Sequence, residues 1–267
     1  VGGGLRRGLL SADGIAESGW RIERDNLLLT AKIARGAFGN VYKGNWLGTV
    51  CAVKQIDVWS LQDLREFESE AALLSELHHP NIVQLLGVCR HQSAQGCQEM
   101  LIVMDFMEKG SLGEVLIDRT CELSWQTRRQ MALDAALGMR YLHSLSPPVL
   151  HRDLKSPNLL VDSLNRVKIA DFGLSRFRVE YTMTFCGSPK WTAPEVLNGE
   201  TYDTGADVWS YGVVIWELLA RNVPYGAGTW KVTGAASEAG DGPSGRQVPR
   251  TATPPLGVSG GSPSREE

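Results

Sequence analysis

The sequence predicts an α+β chain of two lobes: a small antiparallel β lobe carrying one helix, and a larger helical lobe. Three observations lead there. Residues 21–58 place turn glycines between β-branched and apolar residues, the pattern of strands joined by short turns. From Ser111 the periodicity becomes helical, most clearly over Ser124–Ser144. Ala206–Ala220 is apolar on nearly all sides, as in a helix buried within a lobe.

Taken in chain order, residues 1–19 are Gly-rich and mixed, and read as a flexible leader. After the first strands, residues 60–78 predict a helix with Leu61, Leu64, Phe67, Ala71, Leu74 and Leu77 on one stripe. Ser60 is the expected N-cap, with Asp63 three residues on, and Pro80-Asn81 ends the segment. Ile82–Val88 and Met100–Phe106 predict two more strands. Pro147-Pro148 closes the Ser124–Ser144 helix. Short strands are expected around Leu159–Val161 and Val167–Ile169. Gly226–Glu267 is rich in Gly, Pro, Ser, Thr and Ala, with few large apolar residues and no period. Such a segment buries too little surface to offset chain entropy, so it reads as a disordered tail. The expected organisation is a leader (1–19), a domain (20–225) and a tail (226–267). Within the domain the small N-lobe covers about 20–104, a hinge about 105–110, and the C-lobe about 111–225.

A chain of 267 residues can form one large domain or two lobes with separate cores. It is 43% apolar and 21% charged, ordinary for a globular protein, and a net charge of -3 gives no signal for nucleic acid as a partner. The cysteines (Cys51, Cys89, Cys97, Cys121, Cys186) lack zinc-finger or CxxC spacing, so reduced thiols in a cytoplasmic setting are expected. No run approaches the roughly 18 apolar residues of a membrane span. The start at Val1 reads as a fragment or an incomplete gene model.

The residue patterns that carry chemistry begin at Ile33-Ala34-Arg35-Gly36-Ala37-Phe38-Gly39-Asn40-Val41. Glycines between two strands form either a plain hairpin turn or a loop whose N–H groups approach phosphate oxygens. Val50–Lys54 is a strand ending in a lysine, which alone would be a surface charge. Glu70, however, falls within the apolar stripe of its helix, three residues after Phe67 and four before Leu74, whereas Glu68 projects away. An inward carboxylate is costly unless paired, and Lys54 is its natural partner. Further on, His151-Arg152-Asp153-Leu154-Lys155-Ser156-Pro157-Asn158 precedes Asp171-Phe172-Gly173. Singly, each polar residue there reads as an ordinary loop residue, and His151 reads as a packed core histidine.

Together these motifs are a recognised signature of protein kinases. Residues 20–225 resemble the protein kinase domain, most closely the tyrosine-kinase-like group of Raf-like and mixed-lineage-like kinases. Trp20-Arg21-Ile22, Val41–Trp46, His151–Asn158 and Trp191-Thr192-Ala193-Pro194-Glu195 carry that likeness. The resemblance implies ATP-dependent transfer to serine or threonine hydroxyls, since Lys155 follows Asp153 and Thr192 is of the same type. It implies Asp153 as the residue that orients the hydroxyl, and Lys155 as the cation on the moving phosphate. Lys54, with Glu70, would hold the α- and β-phosphates, while Asn158 and Asp171 would hold Mg2+. Ile33, Ala34, Gly36, Ala37, Phe38, Gly39 and Val41 would cover the nucleotide, although Ala34 stands where the family pattern has its first glycine. Ala52, Met104, Asp105, Met107 and Leu160 would complete the ATP site. Leu74, His151, Phe172 and Asp207 would join a packed spine between the lobes. Thr182, Thr184 and Ser188 are expected phosphosites for an upstream activating kinase, with Arg152 receiving the phosphate. The alternative is an unregulated Thr-rich loop.

The resemblance stops at Tyr225, where the family continues with further helices. A buried Glu195 lacking its usual arginine partner is therefore expected, at a cost of about 3–5 kcal/mol. An exposed apolar patch on the Ala206–Ala220 helix is also expected. Two readings stay open: a serine/threonine kinase acting on protein substrates in signalling, or a truncated, weak or inactive fragment that binds nucleotide, acts as a scaffold or folds poorly.

Overall fold

The structure is a computed structural model describing residues 20–36, 39–58, 60–92, 98–172, 176–177 and 188–226. The expected leader and the expected tail beyond Gly226, together with Ala37, Phe38, Gly173, Thr182 and Thr184, lie outside the described residues.

The small lobe is a five-stranded antiparallel sheet of β1 (Leu27–Gly36), β2 (Gly39–Trp46), β3 (Thr49–Val58), β4 (Leu85–Gln92) and β5 (Gln98–Asp105), in the order β1-β2-β3-β5-β4. Successive strand side chains face opposite sides. Along β5, Leu101 and Val103 join a cluster with Ile22, Leu27, Cys51, Val53 and Cys89, while Met100 and Ile102 face the other way. On that second face packs helix α1 (Leu61–Glu76), through Phe67, Ala71 and Leu74. Ser60 and Asp63 form the expected capping box, Ser60 Oγ accepting from the Asp63 N–H and Asp63 accepting from the Ser60 N–H at 2.8 Å.

Two strand expectations shift. The strand expected at Ile82–Val88 begins at Leu85, and the one at Met100–Phe106 spans Gln98–Asp105. Asn81–Val83 has left the small sheet to bond the large lobe. The Val83 N–H donates to Ile169 O (2.9 Å), the Ile169 N–H to Asn81 O (2.9 Å), and Asn81 Nδ2 to Val167 O (3.0 Å). β-Branched residues here mark strand-like backbone paired to a different partner. On the outer side of β4, residues 20–22 run alongside: the Val88 N–H donates to Trp20 O and the Ile22 N–H to Val88 O, both at 2.8 Å. This approach requires glycine at position 87, where a Cβ would lie 2.5 Å from Trp20 O.

The large lobe contains α2 (Leu112–Ile117), α3 (Trp125–Ser144), two-residue strands β6 (Val149–Leu150) and β9 (Arg176–Phe177), the ladder of β7 (Leu159–Val161) with β8 (Val167–Ile169), the short α4 (Pro194–Leu197), and α5 (Thr204–Ala220). Ser124 caps α3 by accepting from the Thr127 N–H, so the helix starts one residue inside the expected position. Asp134 of α3 is fully buried. It takes Arg166 in a two-pronged pair (both contacts 2.8 Å), the Val167 N–H (3.0 Å) and Gln130 Nε2 (2.8 Å). One apolar core runs through both lobes, from Phe67, Leu74 and Leu85 to Phe172, Met131, Leu154 and Val214.

Two expectations about the large lobe are corrected. Helix α5 is buried on one face only. Ala206, Asp207, Ser210, Val214, Glu217 and Leu218 point inward, while Val208, Trp209, Trp216 and Leu219 are exposed. A helix apolar all round gives no periodic signal for which side faces solvent. The expected apolar patch is present on that outer side. Glu195 is only partly buried, so the cost of a buried, unpaired charge does not apply.

Candidate active site

The site lies where β3, α1, the β6–β8 segment and residues 188–192 converge. The sheet ladders bring the upper residues together. Ala34 lies opposite Val41, Val41 opposite Lys54, and Ala52 opposite Met104. Much of the Ile33–Val41 stretch expected as a loop belongs to strands, with β1 running to Gly36 and β2 starting at Gly39. Gly39 has φ 138°, and a Cβ there would sit 1.9 Å from Gln55 O, so no other residue fits. Ile33 is exposed.

The inward carboxylate found in the sequence meets its cation. Lys54 Nζ donates to Glu70 Oε1 at 2.7 Å and Oε2 at 2.8 Å, and lies 3.5 Å from Asp171 Oδ1. Both Lys54 and Glu70 are buried, while the Asp171 side chain is 40% exposed. Burial opposes charge on Lys54, but the carboxylates of Glu70 and Asp171 outweigh it and hold the ammonium above its ordinary pKa.

Below them, Asp153 is bonded through both oxygens. Oδ2 accepts from Lys155 Nζ (2.6 Å) and Asn158 Nδ2 (3.1 Å), and Oδ1 from the Ser188 N–H (3.1 Å). Asn158 Nδ2 also reaches Asp153 O (2.9 Å), and the Ala170 N–H donates to Asn158 O (2.9 Å), which ties Asn158 to the strand leading into Asp171. Asp171 has φ 61°. Positive φ in a non-glycine residue is uncommon, and here it accompanies an exposed carboxylate. Asn158 and Asp171 supply hard oxygen donors. Among the described residues no cluster of three or more His, Cys, Asp or Glu could hold a metal alone. Two side-chain donors suit Mg2+, which commonly completes its shell with phosphate oxygens and water.

The hinge segment joins the lobes through Asp105. Its side chain pairs with Lys168 of β8 and accepts the Gln84 N–H (3.2 Å), and its own N–H donates to Gln84 O (3.1 Å). Met107 is buried. Leu160 sits on β7, which is held to the hinge by the Lys109 N–H to Val161 O (3.0 Å) and the Val161 N–H to Gly110 O (2.9 Å).

Arg152 has φ 69°, its guanidinium stands 5.8 Å from the Tyr202 ring, and its buried Nε has no hydrogen-bond partner among the described residues. His151 is fully buried against Phe172, its ring bonded to Ala170 O at 3.0 Å, as a packed core residue should be.

Sequence reading missed several contacts. Asp207, expected only in the spine, accepts the His151 N–H, the Arg152 N–H and His143 Nε2, each at 2.9 Å, so α5 fixes the backbone beside Asp153. Ser188, expected only as a phosphosite, accepts from Lys155 Nζ at its Oγ (2.8 Å) and donates its N–H to Asp153 Oδ1. Leu85 joins Leu74 and Phe172 in the interlobe core. The one signal for Asp207 and Glu217 is their polarity inside an apolar helix.

Comparison with known proteins adds the lineage. The family model described as protein tyrosine and serine/threonine kinase matches residues 27–239. The chain is 43% identical over 209 residues to the probable serine/threonine-protein kinase drkD of Dictyostelium discoideum, covering 77% of this chain and 16% of that protein. It is 44% identical over 212 residues to drkC of the same organism, covering 76% and 28%. It is 42% identical over 207 residues to the probable serine/threonine-protein kinase SIS8 of Arabidopsis thaliana, covering 76% and 20%. The chain thus spans less than a third of each of these relatives.

Proposed function

The chain belongs to the protein tyrosine and serine/threonine kinase family, and from that premise we propose that it transfers the γ-phosphate of ATP to serine or threonine hydroxyls of protein substrates. The observation that carries this is the placement of Lys155 Nζ 2.6 Å from the Asp153 carboxylate, with Asn158 on the same oxygen. We take residues 20–225 as the acting domain and place it in the tyrosine-kinase-like group.

Asp153 accepts the substrate hydroxyl through Oδ1, which keeps a further lone pair, since Lys155 and Asn158 already occupy Oδ2. The hydroxyl oxygen bonds to the γ-phosphorus as the bond from that phosphorus to the ADP oxygen breaks, and Lys155 offsets the charge on the phosphoryl group in transit. Lys54, held by Glu70, grips the α- and β-phosphates. Asn158 and Asp171 would hold Mg2+, which when bound would supply charge neutralisation for the phosphates. Gly36 and Gly39 cover the phosphates together with Ala37 and Phe38. Ala34, Val41, Ala52, Met104, Met107 and Leu160 enclose the base, with the main chain of Asp105–Met107 as its hydrogen-bonding edge. Among the described residues no helix is long and apolar enough to cross a membrane, and a cytoplasmic setting is our reading.

An upstream kinase acts on Thr182, Thr184 or Ser188, the last only when it has left Lys155. The unpartnered Nε and positive-φ backbone of Arg152 suit it to receive that phosphate.

The test compares the parent with Asp153→Asn, using Mg-ATP and a generic basic protein. The parent transfers phosphate and the variant does not. Equal activity of the two rules out this assignment. A thermal midpoint that rises with Mg-ATP in a parent without transfer points to a nucleotide-binding module instead.

A further inference from the structure

Helix α5 buries one side and leaves the other bare, and the bare side has an order of its own. Val208, Trp209, Trp216 and Leu219 are exposed, as are Gly205 and Gly212. These positions recur every seven residues, with Gly205, Gly212 and Leu219 in one row and Trp209 and Trp216 beside it. A seven-residue repeat of apolar or small residues on one helix face is the pattern of a seam against a second helix. The 17-residue helix contains two charged side chains, Asp207 and Glu217, and both point inward, so the bare face is uncharged. At Gly212 a Cβ would meet no atom within 4 Å, which leaves an open notch between the two tryptophans.

Gly212 is also the midpoint of Thr204–Ala220, and that fixes what fits the face. A two-fold axis through Gly212 lays a second copy of the helix antiparallel on the first, so each position faces the one equally far beyond the midpoint. Trp216 then faces Val208 and Leu219 faces Gly205, large against small, with the two Gly212 residues meeting at the crossing. Beyond the ends, the Asp203 end of one copy lies beside the Arg221 end of the other. Those charges are opposite, and the two helix dipoles offset each other. A parallel pairing would set Trp216 against Trp216 and Asp203 against Asp203. The area is modest. Trp209 and Trp216 keep 42% and 45% of their surface exposed, which is roughly 100 Å2 each. With Val208 and Leu219 the face amounts to roughly 400 Å2 per copy, about half of what a standard interface buries on each side. The pairing is therefore reversible and concentration-dependent.

We propose that the outer face of α5 is a self-association surface, on which a second copy of this chain docks antiparallel about Gly212. The face turns away from Asp207 and the loop it holds, so the pairing is independent of whether the chain transfers phosphate.

The experiment is sedimentation velocity of the full chain from about 1 to 200 μM. The parent passes from monomer to dimer across that range. Gly212→Leu puts two bulky side chains on the axis and raises the dissociation constant at least about tenfold. Its fold is not at risk, because the position is open and leucine favours helix over glycine. Its melting midpoint in dilute solution therefore does not fall below the parent's. A second pair of variants reads the register. Gly212→Cys forms a disulfide-linked dimer under mild oxidation, above the background of the native cysteines, and Leu219→Cys does not, since only a residue on the axis meets its own copy. A parent that stays monomeric at the highest concentration overturns the proposal, whether another segment of the chain or a different partner covers the face. So does a Gly212→Leu variant that dimerises like the parent, or equal cross-linking from positions 212 and 219. Growth past the dimer into open-ended aggregates overturns the closed two-fold pairing.

Discussion

Glu70 in the small lobe and Asp207 in the large lobe are both buried carboxylates serving the same centre, and they are satisfied in opposite ways. Glu70 meets a cation at the end of a flexible lysine stem, and that cation is shared with the half-open Asp171. Asp207 meets two main-chain N–H groups and a histidine ring, with no flexible cation in between. An ion pair between movable side chains can be made and broken as a helix shifts. Hydrogen bonds to main-chain donors fix a loop outright. The upper half of the site is thus assembled by side chains, whereas the lower half is built into the backbone.

Substitutions can break this contrast. The largest effect is expected from Asp207→Ala, which strands the buried His151 N–H and the part-buried Arg152 N–H at up to about 1–3 kcal/mol each. Its urea midpoint should fall well below the parent's and transfer should be lost with it. A stable variant with normal turnover would mean the lower half is not fixed by Asp207. Glu70→Gln comes next, and it separates the two halves. Lys54 keeps a polar neighbour but loses its nearer charge partner, so transfer should fall roughly 100-fold with a smaller loss of stability, about 1–2 kcal/mol. If its melting loss equalled that of Asp207→Ala, the distinction between assembled and built-in halves would collapse.

A pH series sharpens the lower half. Burial pushes the Asp134 carboxyl up, but Arg166, the Val167 N–H and Gln130 outweigh it and hold its pKa below the ordinary value. A carboxylate depressed in the folded state contributes stability above its unfolded pKa of about 4, and that contribution disappears as pH falls through the folded value. The gap in thermal midpoint between the parent and Asp134→Asn should be full at neutral pH and shrink below about pH 4. A gap independent of pH would show that Asp134 acts through packing alone. The smallest effect belongs to the small-lobe cap. Ser60→Ala should cost about 1 kcal/mol by chemical denaturation and leave Lys54 paired. Activity falling further than stability would place the cap within the machinery that positions Glu70.

The upper half is the more legible in sequence, for a physical reason. Glu70 interrupts an otherwise regular apolar stripe, so its inward direction follows from helical period alone, and Lys54 lies within a nearby strand. The same argument fails on α5, where nearly every position is apolar and period assigns no face. Val208 and Trp216 point to solvent while Asp207 and Glu217 point inward. Asp134 with Arg166, and Glu217 with Ser156, are joined across 32 and 61 residues of sequence, so neither pairing has a local trace. Ser188 shows the remaining limit. A hydroxyl in a Thr-rich segment reads as a modification site, and only tertiary placement shows it bonded to Lys155. Ile82 and Val83 read as part of β4 because extended backbone looks alike whether it pairs within its own sheet or with another lobe.

The three residues along β4 have one more consequence. β4 is the outermost strand of its sheet, and an outermost strand offers unsatisfied N–H and C=O groups to any extended chain that meets it. Trp20–Ile22 takes both main-chain groups of Val88, and Gly87 leaves the room for it to do so. This short segment therefore works as a guard against self-association. A larger side chain at position 87 would lift the guard and turn a quiet margin of the domain into a template for aggregation, with the catalytic residues themselves untouched.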